Sequence, residues 1–167
     1  MSLKELVTSN VEFNEWANQR YLEWLSTKPD EVLFQEIPSS CPNIFKTLRH
    51  IWEAQEFWWG VVAETDEFVR VWELEDITKE QLFTGLEANS QNLTRFVRSL
   101  SENDLSKRIE IDNQWLQCNL TKYEYIQQFV NHATYHRGQI VTIGRNLGLT
   151  DPPSADYISW QIGSKAS

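Results

Sequence analysis

Asn131-His132-Ala133-Thr134-Tyr135-His136-Arg137-Gly138-Gln139 lies within the longest helical pattern of the sequence and carries two of its three histidines. Four residues turn an α-helix through about 400°, so His132 and His136 fall about 40° apart on one face, one turn apart along the axis. Around them, Tyr125, Phe129, Ile140, Ile143 and Leu147 continue the same stripe at steps of three or four, the period of a helix face turned to a core. Both histidines therefore occupy inward positions. An imidazole in a dry interior must stay neutral and find partners, and one divalent cation satisfies two facing lone pairs at once. The spacing admits that reading and equally a pair of structural histidines.

Outward from this stretch the chain divides into four helical patterns. Thr121 and Glu124 form a capping box at the start of the histidine helix, with Leu120 and Tyr125 as its hydrophobic staple. Arg145 in the last turn, Gly148 as C-cap and Asp151-Pro152-Pro153 end it. Just upstream, Ile109 and Ile111 alternate with polar residues, Asp112-Asn113 supplies a turn, and Leu116, Cys118 and Leu120 alternate again, which predicts a β-hairpin. Before that, Thr78 and Gln81 cap a third helix carrying Leu82, Leu86, Leu93, Val97 and Leu100. The charged stretch 63–77 reads as a connection with at most a turn of helix.

Asn43, after the loop Pro38-Ser39-Ser40-Cys41-Pro42, caps a second helix running to about Val62. Its apolar stripe runs through Ile44, Leu48, Ile51, Gln55, Trp58 and Val62, and a parallel line holds Thr47, His50, Ala54, Phe57 and Val61. The third histidine thus also faces the inside or its margin, from a different helix. The first helix runs from Leu3 to about Leu25, before Pro29. Asn14 and Asn18 ride at the edge of its stripe, read as solvent-facing in preference to hydrogen-bonding beside a buried site. The tail Asp156-Tyr157-Ile158-Ser159-Trp160 is apolar enough to pack back on the helices. The expected fold is all-α, a four-helix bundle with a small β-hairpin between helices 3 and 4, in a single domain over residues 1–167.

Composition narrows the function classes. The 167 residues are 41% hydrophobic and 23% charged, an ordinary globular composition. Eight Trp, eight Phe and five Tyr are read as filling between helices rather than as a base-stacking platform. Lys plus Arg number 15 against 24 Asp plus Glu, a net charge of −9, which repels a phosphate backbone and argues against nucleic acid as a partner. No signal-type apolar run or membrane-spanning stretch is present, so a cytoplasmic location is expected and no membrane association. Cys41 and Cys118 form no metal spacing and are read as reduced, partly buried thiols.

A helix bundle builds metal sites from side chains on facing helices. If His50, His132 and His136 converge, they give three neutral nitrogen ligands, the count of a catalytic site with an open fourth position. Such an ion lowers the pKa of a bound water and deprotonates a bound thiol, so hydroxide attack and thiolate transfer both stay open. Glu53, close to the His50 face, is the candidate catalytic base or orienter, or else a plain surface carboxylate. Arg137 and Asp156 are expected to pair and clamp the tail, and Gly138 to permit close helix packing.

Phe13-Asn14-Glu15-Trp16-Ala17-Asn18, Thr47-Leu48-Arg49-His50-Ile51, His132-Ala133-Thr134-Tyr135-His136-Arg137-Gly138-Gln139 and Pro152-Pro153-Ser154-Ala155-Asp156-Tyr157-Ile158 together resemble the DinB family, the DinB/YfiT-like metal-dependent enzymes. The pieces spread over nearly the whole chain, and the HxxxHRGQ segment with an upstream His is the most specific. The resemblance implies a four-helix bundle, often a homodimer, with nickel or zinc bound by three histidines, here His50, His132 and His136. Some relatives look like transferases or isomerases that use a low-molecular-weight thiol as cofactor. Where relatives often carry an acid five residues after the first ligand, this chain has Gln55, which weakens a mechanism that needs a carboxylate there.

The leading expectation is a metal-dependent enzyme acting on a small-molecule substrate, activating water or a thiol for hydrolysis or S-transfer. The alternative is a non-catalytic metal-binding, DNA-damage-inducible stress-response protein.

Overall fold

The computed structural model describes residues 1–164. Four long helices carry the fold: α1 over Leu3–Ser26, α3 over Ile44–Ala63, α4 over Lys79–Ser99 and α6 over Lys122–Asn146. Short helices α2 (Asp30–Phe34) and α5 (Glu102–Ser106) sit in the connections, and α7 (Tyr157–Ser164) closes the described chain. Strands β1 (Arg108–Asp112) and β2 (Gln117–Thr121) pair antiparallel between α4 and α6, with Arg108 opposite Thr121 and Asp112 opposite Gln117. A 3-10 turn over Val71–Glu73 interrupts the charged connection.

The helix starts follow the caps. Thr78 and Gln81 exchange both bonds of a capping box at α4. At α6 the Thr121 amide and hydroxyl both donate to Glu124 Oε2, at 2.8 and 2.6 Å. Asn43 Oδ1 accepts from the Lys46 amide at 2.8 Å. Each cap satisfies donors that the first helical turn leaves orphaned. At the far end of α6 the chain turns at Gly148, whose φ of +87° lies in the left-handed region that a side chain disfavours.

The long helices close a four-sided ring in which α1 packs on α4 and α6, and α3 on α4 and α6. The apolar interior falls into two clusters. One gathers Leu25, Leu48, Ile51, Leu86 and Ile140; the other gathers Val11, Val62, Leu93, Tyr125 and Phe129. Helix α7 packs back on α1, with the Phe13 ring 5.3 Å from Tyr157 and 6.2 Å from Trp160, as its apolar composition requires.

A layer of polar side chains lies among the core residues. Gln55 Oε1 accepts from Asn14 and Asn18 at 2.8 and 2.9 Å, and Gln55 Nε2 donates to Asn89 Oδ1 at 2.6 Å. Arg137 Nη1 donates to Asn14 Oδ1 and Asn18 Oδ1 at 2.8 and 2.6 Å. Two expectations are corrected here. Asn14 and Asn18 are buried, 2% exposed each, because their amides can serve Arg137 with oxygen and Gln55 with nitrogen. Arg137 forms no ion pair with Asp156; its remaining bond goes to Thr134 Oγ1 at 2.8 Å.

Gly138 is also corrected, since a Cβ there would meet nothing within 4 Å. The close approach is at Gly85 on α4, where a Cβ would lie 2.2 Å from the Trp52 ring of α3.

Candidate metal centre

His50 arrives from α3 and His132 and His136 from α6, helices that pack directly on each other. Their ring centroids lie 4.9, 4.6 and 4.4 Å apart, taken as His50 to His132, His50 to His136 and His132 to His136. One nitrogen from each ring falls within 4.8 Å of the other two. His136 is buried, 5% exposed, whereas the His50 side chain is 41% exposed. The three imidazoles thus form a face that is closed on the α6 side and open toward solvent past His50.

Hydrogen bonding decides which nitrogens are free. Gln139 Nε2 donates to Ser40 Oγ at 2.8 Å and to the Tyr135 hydroxyl at 3.1 Å. Its Oε1 is therefore left as an acceptor, and it takes the His136 Nδ1–H at 2.6 Å. That bond fixes the tautomer and leaves the His136 Nε2 lone pair unprotonated. It points at His132 Nε2 from 3.2 Å. The other His132 nitrogen, Nδ1, is buried without any hydrogen-bond partner.

This arrangement fits a divalent cation. If His132 carries its proton on Nδ1, two lone pairs oppose each other at close range, which is repulsive with nothing between them. If it carries the proton on Nε2, a lone pair is stranded in a dry site, at a cost of roughly 1–3 kcal/mol. Two nitrogens bound to one ion at about 2.0–2.1 Å in tetrahedral geometry stand roughly 3.3 Å apart, close to the spacing seen. Burial, then the neighbouring imidazoles, pushes the His132 pKa down to about 4, and burial likewise lowers that of His136. Both are neutral at pH 7, the state in which imidazole binds metal.

Glu53 sits one turn beyond His50. Its Oε1 accepts from Arg49 Nε at 2.9 Å, and its Oε2 lies 3.6 Å from His50 Nδ1. Arg49 is anchored in turn by the carbonyls of Val71 and Leu74, at 2.9 and 3.0 Å. The carboxylate is thus held beside His50 as an electrostatic neighbour, at a distance too long for a good hydrogen bond. Gln55 is not at this site; it lies in the buried polar layer. The Cys41 thiol, half-buried, is pushed up by burial and then by the charge of Glu53, so it is held protonated and is not an activated nucleophile.

Gln139, Ser40 and Arg49 received no role from the sequence. Gln139 stands three residues after His136, a spacing that puts side chains in reach of each other on a helix. Arg49 and Glu53 are a four-residue pair of the same kind. Nothing in the sequence marks Ser40, which comes from a loop 99 residues away.

The model of the DinB family matches residues 1–164. The chain is 30% identical over 152 residues to Protein DinB of Bacillus subtilis (strain 168), covering 87% of this chain and 88% of that relative.

Proposed function

The chain belongs to the DinB family, and from that premise and the three-imidazole face we propose that it is a metal-dependent enzyme. His50, His132 and His136 would hold a divalent ion, nickel or zinc, and the reaction would be hydrolysis or S-transfer on a small-molecule substrate. When bound, such an ion supplies Lewis acidity that brings the pKa of a water or a low-molecular-weight thiol toward neutrality.

The chain's own residues make that site ready. Gln139, fixed by Ser40 and Tyr135, holds His136 in the tautomer that presents Nε2. The close packing of α3 on α6 brings His50 to the pair. Glu53, braced by Arg49, is assigned to positioning His50 and to supporting positive charge on its side of the site. The exposed rim at His50 is where substrate enters. Homodimerisation belongs to the same reading, as in the family resemblance.

The observation that carries this proposal is the 3.2 Å approach of two imidazole Nε2 atoms, one of which has no proton to give. The test is to chelate untagged protein, reload it with zinc or nickel, and assay thiol-transfer and ester panels with loaded and metal-free samples. Turnover that appears only with metal supports the enzyme. Metal uptake with no turnover across both panels favours the non-catalytic metal-binding reading.

A further inference from the structure

A cavity of about 510 Å³ opens between α1, α6 and the segment 152–156. From α6 its wall takes Thr134, Arg137, Gly138, Val141 and Arg145. At 100° per residue these lie roughly 140–240° around the helix from His132, on the side away from the imidazoles. The cavity is a second site, independent of the metal reading.

Its polar groups are not consumed by the fold. Tyr21 is only 5% exposed, yet its hydroxyl makes no hydrogen bond among the described residues. Arg137 is 3% exposed, and its guanidinium gives three N–H bonds, to Asn14, Asn18 and Thr134. Two of the five N–H groups of a guanidinium then lack a protein acceptor. No carboxylate among the described residues forms an ion pair with Arg137 or with Arg145. The Asp156 carboxylate accepts only a long 3.4 Å bond from Ser154 Oγ.

These groups share one space. The Tyr21 phenol is raised by burial, then lowered by Arg137, raised by Asp156 and lowered by Arg145. A buried guanidinium without a counter-charge is costly, and an anion entering the cavity offsets that cost. The wall thus offers two cationic groups, a free hydroxyl and a single carboxylate.

We propose that this cavity binds a small amino-acid or dipeptide zwitterion, its carboxylate on Arg137, Arg145 and Tyr21 and its ammonium on Asp156. The volume lies within the range of small-molecule pockets, about 300–1,000 Å³, and suits an amino acid or a dipeptide. A phosphate dianion would gain from the arginines but meet repulsion from Asp156, with no group left to use that carboxylate.

Calorimetric titration of the full-length, zinc-loaded protein with L-glutamine, glycylglycine, acetate, ethylamine and inorganic phosphate tests this. A zwitterion binds saturably, and acetate, ethylamine and phosphate bind at least about tenfold more weakly, the scale of one charge-assisted contact. Arg145→Ala and Asp156→Asn, at exposed positions where folding is not at stake, each weaken zwitterion binding by about tenfold or more. Tyr21→Phe also weakens it while the thermal midpoint stays within a degree or so, because the hydroxyl has no partner to lose. Zinc content is unchanged in all three variants, which separates this site from the metal centre. Absence of saturable binding by either zwitterion, binding indifferent to Arg145→Ala and Asp156→Asn, or phosphate binding tighter than either zwitterion would overturn the assignment.

Discussion

At the scale of single residues, the candidate metal centre depends on which nitrogen of each ring carries a proton, and Gln139 decides that for His136. Replacing it with leucine removes the acceptor that holds Nδ1–H, so Gln139→Leu should lower zinc affinity by about 10- to 100-fold with the helix content intact. Competition with a chromogenic chelator measures it. The depressed histidines also predict a pH dependence. In metal-free protein the His132 pKa moves from 6.5 to about 4 on folding. Between those values the unfolded chain binds more protons, so stability falls as pH falls. Urea midpoints of chelated protein should therefore drop between about pH 7 and pH 5, and His132→Gln should flatten that slope. Below that window the lowered carboxylates Glu64, Asp104, Glu124 and Asp151 add their own losses.

The clustering of the three histidines was legible because inward periodicity is visible in one dimension. Arg137 was not. The sequence offers Asp156 as a partner of opposite charge, but only packing reveals that Asn14 and Asn18 approach from α1 with their amide oxygens aimed at the guanidinium.

At the scale of elements, the bundle is two apolar clusters and a polar layer that locks the register of α1, α3, α4 and α6. Asn18 bonds Gln55, Ser90 and Arg137 at once. Asn18→Ala strands buried partners on three helices and should cost about 2–4 kcal/mol, read from urea denaturation. Two glycines make opposite predictions. Gly85→Ala drives a methyl into the Trp52 ring and should cost about 1–3 kcal/mol. Gly138→Ala meets open space in a helix interior and should stabilise by about 0.5–1 kcal/mol. The sequence pointed to the wrong glycine, since a helical Gly signals that something needs room without saying on which face a neighbour comes near. The four long helices were readable from period, and the caps Asn43, Thr78 and Thr121 from their residues, but the Ser2–Glu5 capping box that starts α1 went unread. Helices α2 and α5 were not, because five residues hold too little of a period to stand out from a loop.

At the scale of the whole molecule, the helical bundle is the fold of a chain that matches its family over residues 1–164. No helix among the described residues is long and apolar enough to cross a membrane, and the net charge of −9 is unfavourable for binding a nucleic-acid backbone. What unites these features is a bundle whose α3 and α6 bring three imidazoles together from positions 50, 132 and 136. The direct test is elemental analysis of untagged protein after incubation with zinc or nickel and removal of free metal. The account predicts about one equivalent per chain, falling below about a tenth in His132→Ala/His136→Ala. Less than a tenth of an equivalent in the unaltered protein, or the same content in the double variant, would contradict it.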